Sequence, residues 1–177
     1  MRLWLRDGYE AVSVDQIAAE MGISRSTVFR YFRTKAAIVW AGFDRALEQL
    51  SSSLAATAAE DTMAAIRAAV GQAVYAGTDD RGVWWERFVL FDSVPALRAE
   101  AADRWERWVT IVAAFVAGRM GVDSLHPYPM AIASAHQGVY IATLRTWEGR
   151  PGDPEQLLDR MTASMEAVGE ALAGLLG

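Results

Sequence analysis

The sequence predicts an all-α protein. Apolar residues recur at helical spacing along nearly the whole chain, alternating β-branched runs are scarce, and Gly, Pro and capping residues fall at helix-sized intervals. With 177 residues, 53% of them hydrophobic, the chain can bury a substantial core in one domain or two small ones. It contains no cysteine, which excludes a disulfide scaffold, a Cys-ligated zinc or iron–sulfur site, haem-thiolate chemistry and a thiol nucleophile. The longest apolar run, Val109 to Gly118 interrupted only by Thr110, is far shorter than the roughly 20 residues of a spanning helix. Charges at Arg2, Arg6 and Asp7 deny the N-terminus the apolar region of a signal peptide. A cytoplasmic protein without a membrane span is expected.

The elements follow in order. Ser13-Val-Asp-Gln16 reads as a capping box that starts a helix; Val14, Ile17, Ala18 and Met21 give its apolar face, and Gly22 ends it in a position suited to left-handed backbone. Ser24 caps the next helix, with Val28 and Phe32 towards the core. Thr34 caps a longer one running from Lys35 towards Ala59. Five further helices are expected at about 62–77, 83–93, 95–120, 129–148 and 154–176, with Pro95, Pro129 and Pro154 at starts, where a missing N–H costs nothing, and Asp153 as an N-cap.

Two short capped helices joined at Gly22-Ile23 make a helix-turn-helix, whose second helix enters the DNA major groove. Charge supports this locally. Residues 24 to 35 carry four positive groups and no carboxylate, although the whole chain has a formal net charge of -5. On charge alone such a run is equally a solvated helix face. Groove insertion needs slim residues at the helix start and cations or hydroxyls aimed at phosphates and base edges, and Ser24, Arg25, Ser26 and Thr27 supply both. The Tyr31 hydroxyl and Lys35 are placed to reach phosphates.

The stretch from Ser13 to Ile38, SVDQIAAEMGISRSTVFRYFRTKAAI, resembles the N-terminal DNA-binding domain of the TetR family of bacterial transcriptional regulators. It has the family's I-A, its G-[VI]-S turn, its T-x-[FY]-x-[YH]-F segment and the [ST]-K that opens the following helix. The resemblance implies that Arg25, Ser26, Thr27 and Arg30 face the groove while Ser13, Tyr31 and Lys35 hold phosphates. Phe29 stands where a Tyr is frequent, and Ser26 replaces a common Gly. Only Met1 to Asp7 precede Gly8, about two turns fewer than family members carry in their first helix, which implies a loosened DNA-binding domain. The domains expected are 1–48 for DNA binding, with a shortened first helix, and 49–177 for ligand binding and dimerisation.

The larger part concentrates aromatic residues. Trp84, Trp85, Phe88 and Phe91 crowd one short helix; Trp105, Trp108, Val112 and Phe115 form a stripe on the next; His136, Tyr140, Thr143 and Trp147 share a face of the fourth. Singly each ring fills a core. Together the mixed polar and aromatic lining favours a pocket for a small hydrophobic ligand. Val94 to Trp105, together with Ala117 to Gly121, resembles the mycofactocin-regulator branch of the TetR family, which is associated with long-chain acyl-CoA. That likeness implies an acyl tunnel with Arg87, Arg98, Arg104 or Arg107 at its mouth, although taken singly each of these arginines reads first as a surface ion-pair partner. The last helix carries Leu157, Leu158, Met161, Met165, Val168 and Leu172. With Met130, Ala133 and Val139 of the preceding helix, these could form half of a symmetric four-helix interface, or be buried within one chain.

The expected function is a homodimeric, ligand-responsive repressor of a palindromic operator, released by a hydrophobic effector such as a long-chain acyl-CoA. An enzyme is not expected: there are two histidines, no nucleophile elbow, no zinc-protease motif and no phosphate-binding Gly loop. His126 reads as a loop residue and His136 as a core or pocket hydrogen-bonder. No catalytic residue, metal site or cofactor is expected. The alternative is a helical lipid or acyl-CoA carrier in which the helix-turn-helix only packs.

Overall fold

The computed structural model describes residues 1–77, 83–147 and 154–176. The described residues form α1 (Arg2–Asp7), α2 (Val14–Glu20), α3 (Arg25–Tyr31), α4 (Lys35–Ala56), α5 (Thr62–Gly77), α6 (Val83–Ser93), α7 (Pro95–Met120), α8 (Pro127–Arg145) and α9 (Pro154–Leu172), with a 3₁₀ turn at Ala173–Leu176 and no strand among them. None of these helices is long and apolar enough to cross a membrane.

Local chemistry sets the N-terminal boundaries. Ser13 and Gln16 cap each other's backbone N–H reciprocally at the start of α2. Gly22, at φ 66°, lets the Ile23 N–H donate back to the Ala18 carbonyl at 2.9 Å and ends α2. The Ser24 and Thr34 side chains accept from the N–H groups of Thr27 and Ala37 and open α3 and α4. Met21 departs from expectation: it caps the C-terminus of α2 and is 64% exposed, because the chain turns away one residue before the stripe would bring it inward. Phe32 lies one residue beyond α3, half-buried against the small cluster of Val14, Ala18 and Val28.

The helices from α4 onwards match their expected spans except at four ends, one of them that of α9, which passes into a 3₁₀ turn after Leu172 instead of continuing as α-helix to 176. α4 stops at Ala56, three residues early, where Thr57 is extended. α8 begins at Pro127, because His126 is its N-cap and accepts from the Tyr128 N–H through Nδ1. It ends at Arg145, with Thr146 as its C-cap, short of the expected residue 148, and the expected cap Asp153 lies outside the described residues.

α4 packs along α5 and touches α6 and α7, while α7 lies on α8, α8 on α9, and α9 returns to α5. These helices close around a core in which Val39, Leu50, Ile66, Val112, Ile132 and Leu157 are wholly buried. Full burial of each such side chain stabilises by about 1.5–3 kcal/mol. The expected division at residue 48 falls inside α4, so a single continuous helix serves both parts. α1 completes the N-terminal part. Trp4 is buried, donates through Nε1 to the Val12 carbonyl at 3.2 Å, and meets Tyr9 edge-on.

Candidate nucleic-acid interface and aromatic chamber

α3 presents Arg25, Ser26, Arg30 and Tyr31 to solvent, while Val28 anchors it inward. The polar groups are not all idle. Arg25 donates through Nη1 to Asp15 at 2.9 Å and lies 5.1 Å from the Phe29 ring centroid. The Ser26 and Thr27 hydroxyls each lie 2.8 Å from Ser24 Oγ, so the cap and these two hydroxyls are one cluster. Arg30 lies over the ring of Tyr31, which is 70% exposed. Ser13 is exposed but engaged in its capping box. Lys35 takes a different place. Its ammonium donates to the Tyr9 carbonyl and sits 4.3 Å from the Tyr9 ring centroid, tying α4 to the loop after α1 rather than standing free.

The aromatic residues of the larger part mostly pack on one another. Trp40 stacks on Phe91 at 4.9 Å, Phe43 meets Trp105 edge-on at 4.7 Å, and Trp85 stacks on Phe88 at 5.5 Å. A cavity of about 50 Å³ remains between α4, α5, α6, α8 and α9. Of the expected ligand residues, Trp84, Phe88 and Tyr140 line it. Burial pushes the Tyr140 phenol up to about 12. The rest do not line it. Trp85 and Trp105 pack outside its wall, Trp108 and Val112 are core, and Phe115 lies under Arg119. His136, Thr143 and Trp147 are buried elsewhere, with His136 Nδ1 on the Ile132 carbonyl at 2.8 Å. The corrected wall includes Gly42, Phe43 and Ala46 of α4, Ala73, Val74 and Gly77 of α5, Phe91 and Leu144. At about 50 Å³ it is a chamber, not an acyl tunnel.

The four arginines separate cleanly. Arg87 lines the cavity. Arg98 donates to the Asp92 carbonyl, and Arg104 pairs with Asp44 at 3.0 Å while covering the Trp40 ring at 4.1 Å. Arg107 borders a shallow groove against α4.

The residues expected at a seam between two chains lie largely inside one. Ala133 and Leu157 are 0% exposed, Met161 and Met165 1%, and Leu158 is buried. Side chains already covered by their own chain have no area to give a partner. The stripe of α9 faces its own bundle. Met130, Val139, Val168 and Leu172 are half-buried. The outward faces carry small residues instead: Ala131, Ser134, Gly138 and Ala142 on α8, and Ala163, Ala167 and Ala171 on α9, all exposed.

Comparison with known proteins accounts for both parts. Residues 60–170 match the family model described as the MftR C-terminal domain, and residues 1–41 match that of the bacterial regulatory proteins of the tetR family. The chain belongs to the TetR family. A protein of Mycobacterium tuberculosis described as a mycofactocin biosynthesis transcriptional regulator, MftR, is 30% identical over 176 residues, covering 97% of this chain and 86% of that one. Two crystal structures share the fold. The TetR-family regulator PfmR from Thermus thermophilus has a TM-score of 0.60 at 20% identity, over 94% of this chain and 92% of that chain. A TetR/AcrR-family regulator from Thermobifida fusca has a TM-score of 0.58 at 23% identity, over 93% and 91%.

The chain is therefore a TetR-family transcriptional regulator and not an enzyme. Sequence reasoning missed Gly42, Phe43, Ala46 and Gly77 as chamber residues. The signal was present only in part: Gly42 inside an otherwise strong helical pattern marks close approach, but Gly77 ends its helix, and nothing local tells which helices approach each other.

Proposed function

We propose that the chain is a homodimeric, cytoplasmic repressor that binds a palindromic operator through Arg25, Ser26, Thr27 and Arg30, with Ser13 and Tyr31 towards phosphates and Lys35 joining them once its ammonium leaves the Tyr9 carbonyl, and that a small hydrophobic effector in the chamber releases it. One observation carries the reading. α4 opens at Thr34, directly after the DNA-reading helix, and about 12 Å further on its Gly42, Phe43 and Ala46 wall the chamber. An occupant that moves this wall moves the base of the helix-turn-helix. It thereby favours a conformer whose two reading helices no longer match half-sites about 34 Å apart. A long-chain acyl-CoA requires a cavity several times larger than about 50 Å³, so in that case α4 and α6 part on binding.

Dimerisation is proposed through the small-residue faces of α8 and α9, in place of the stripe that the monomer buries, as a single half-site binds weakly. Fluorescence anisotropy with labelled DNA from the chain's own upstream region tests the proposal. Expected are salt-sensitive, specific binding over a scrambled control and its loss when Arg25→Ala is combined with Thr27→Ala. Equal affinity for the scrambled DNA would favour the carrier alternative.

A further inference from the structure

Two hydrogen-bond donors in the chamber wall lack an acceptor. Trp84 of α6 is more than nine-tenths buried and lines the chamber, and its indole Nε1 has no hydrogen-bond partner among the described residues. Tyr140 of α8 lines the same chamber. Its ring is held by Trp105 edge-on at 5.6 Å and by Trp108 at 6.1 Å. Burial is the single cause that holds its phenol up at about 12, with no hydrogen bond to a described residue beside it. At neutral pH the hydroxyl is therefore protonated and able to donate.

Buried donors are normally matched, and an unmatched indole N–H loses its water contacts for nothing. Around them Phe43, Phe88, Phe91, Leu144 and Leu157 are apolar. Arg87, the charged side chain of the wall among the described residues, already has an interaction of its own and is itself a donor. The group that suits this wall is an acceptor. A carbonyl oxygen, with two lone pairs, can accept from a hydroxyl and an indole N–H together. A carboxylate would be buried with no cation left to match it, at a far higher cost than a neutral carbonyl. Chamber size bounds the body of the occupant. A dry cavity that accepts benzene in a helical protein is about 150 Å³, so a volume of about 50 Å³ opens to one ring or a short branched chain with modest movement of Phe43 and Phe91, and to a long chain only by separating helices.

We propose that the chamber binds a compact, uncharged carbonyl compound, no larger than a single ring, whose oxygen accepts from the Tyr140 hydroxyl and the Trp84 indole N–H while its body lies against Phe43, Phe88, Phe91 and Leu144. This rests on reading the chamber as the effector site. It goes beyond that reading by choosing a neutral acceptor over a hydrocarbon or an acid, and a compact body over a long chain.

The test titrates the full chain with cyclohexanone, with methylenecyclohexane, the hydrocarbon of the same shape, and with cyclohexanecarboxylate. The tryptophan indole N–H resonances in NMR spectra report binding, the one missing from Trp84→Phe being that of Trp84, and operator anisotropy reports release. Saturable cyclohexanone binding that moves the Trp84 resonance downfield is expected. It should be at least as tight as that of methylenecyclohexane, although water holds the ketone more strongly, and at least about 10-fold tighter than that of the carboxylate. Tyr140→Phe, which removes one oxygen and keeps the ring, should weaken the ketone about 3- to 10-fold and leave the hydrocarbon unchanged or tighter. An unmoved Trp84 resonance, or a cyclohexanone affinity unchanged in Tyr140→Phe, overturns the proposal, as does tighter binding of the hydrocarbon or the carboxylate. Release by oleoyl-CoA with no cyclohexanone binding also overturns it while leaving the effector reading intact. Cyclohexanone binding as expected without release of operator supports the carbonyl site and overturns the effector reading.

Discussion

Arg25, at the start of α3, is held by Asp15 of the preceding helix at 2.9 Å, with both side chains more than half exposed. An exposed pair of this kind contributes at most about 1 kcal/mol to the fold, so its effect falls on DNA binding. Asp15 neutralises a cation that the proposed interface needs and places a negative charge near phosphates. Asp15→Asn should therefore tighten operator binding several-fold at low salt and steepen its salt dependence by about one released ion. Anisotropy titrations at a series of salt concentrations check this. Unchanged affinity and slope would remove Arg25 from the contact surface.

Gly22 holds the turn between α2 and α3 at φ 66°. The obstacle to a side chain there is backbone conformation alone, since a Cβ would meet nothing within 4 Å. A non-glycine residue in left-handed backbone costs about 1–2 kcal/mol. Gly22→Ala should thus lower amide protection at Ile23 and Val28 roughly 5- to 30-fold. The exposed helical Gly118, which also has open space, is the control: Gly118→Ala should be neutral or stabilise by up to about 1 kcal/mol.

Gly138 discriminates the proposed interface from the monomer fold. It lies on the outward face of α8, and a Cβ there meets nothing of its own chain within 4 Å. Gly138→Leu should leave the monomer's helicity intact or raise it, yet weaken a dimer built on close approach of small residues. Sedimentation should show a shift towards monomer, with a matching loss of operator affinity. A dimer of undiminished stability would place the interface elsewhere.

What was legible in the sequence follows the range of the interactions. Ser13, Ser24 and Thr34 were readable as caps because a cap needs only its own side chain and an N–H two or three residues on. The stripe from Leu157 to Leu172 identified a buried face correctly but not what buries it: helical periodicity encodes sidedness, and the partner is set by tertiary packing. The chamber was the least legible. It depends on Gly42 meeting Gly77, on Arg87 beside them, and on rings such as Trp108 turning into the core. Each of these is a relation between helices distant in sequence.

His136 makes stability depend on pH in a definite direction. It is wholly buried, its Nδ1 faces the Ile132 carbonyl at 2.8 Å, and its Nε2 has no hydrogen-bond partner among the described residues. The carbonyl fixes the neutral tautomer with the proton on Nδ1, and a second proton would be a buried, unmatched donor. Burial accordingly holds its pKa below the usual 6.5, with the nearby Arg67 charge adding to the effect and the Ile132 hydrogen bond opposing it. Well above pH 6.5 the ring is neutral in both folded and unfolded chains and the term vanishes. Below it the unfolded chain takes up a proton that the folded chain refuses, so stability falls with pH by up to about 1.4 kcal/mol per unit until the folded pKa is reached. Acidic carboxylates titrate in the lower part of that window, and a variant separates the two. His136→Gln should flatten the decline between pH 6.5 and 5.5 in denaturant titrations, and identical slopes for variant and parent would show that the ring is protonated in the fold.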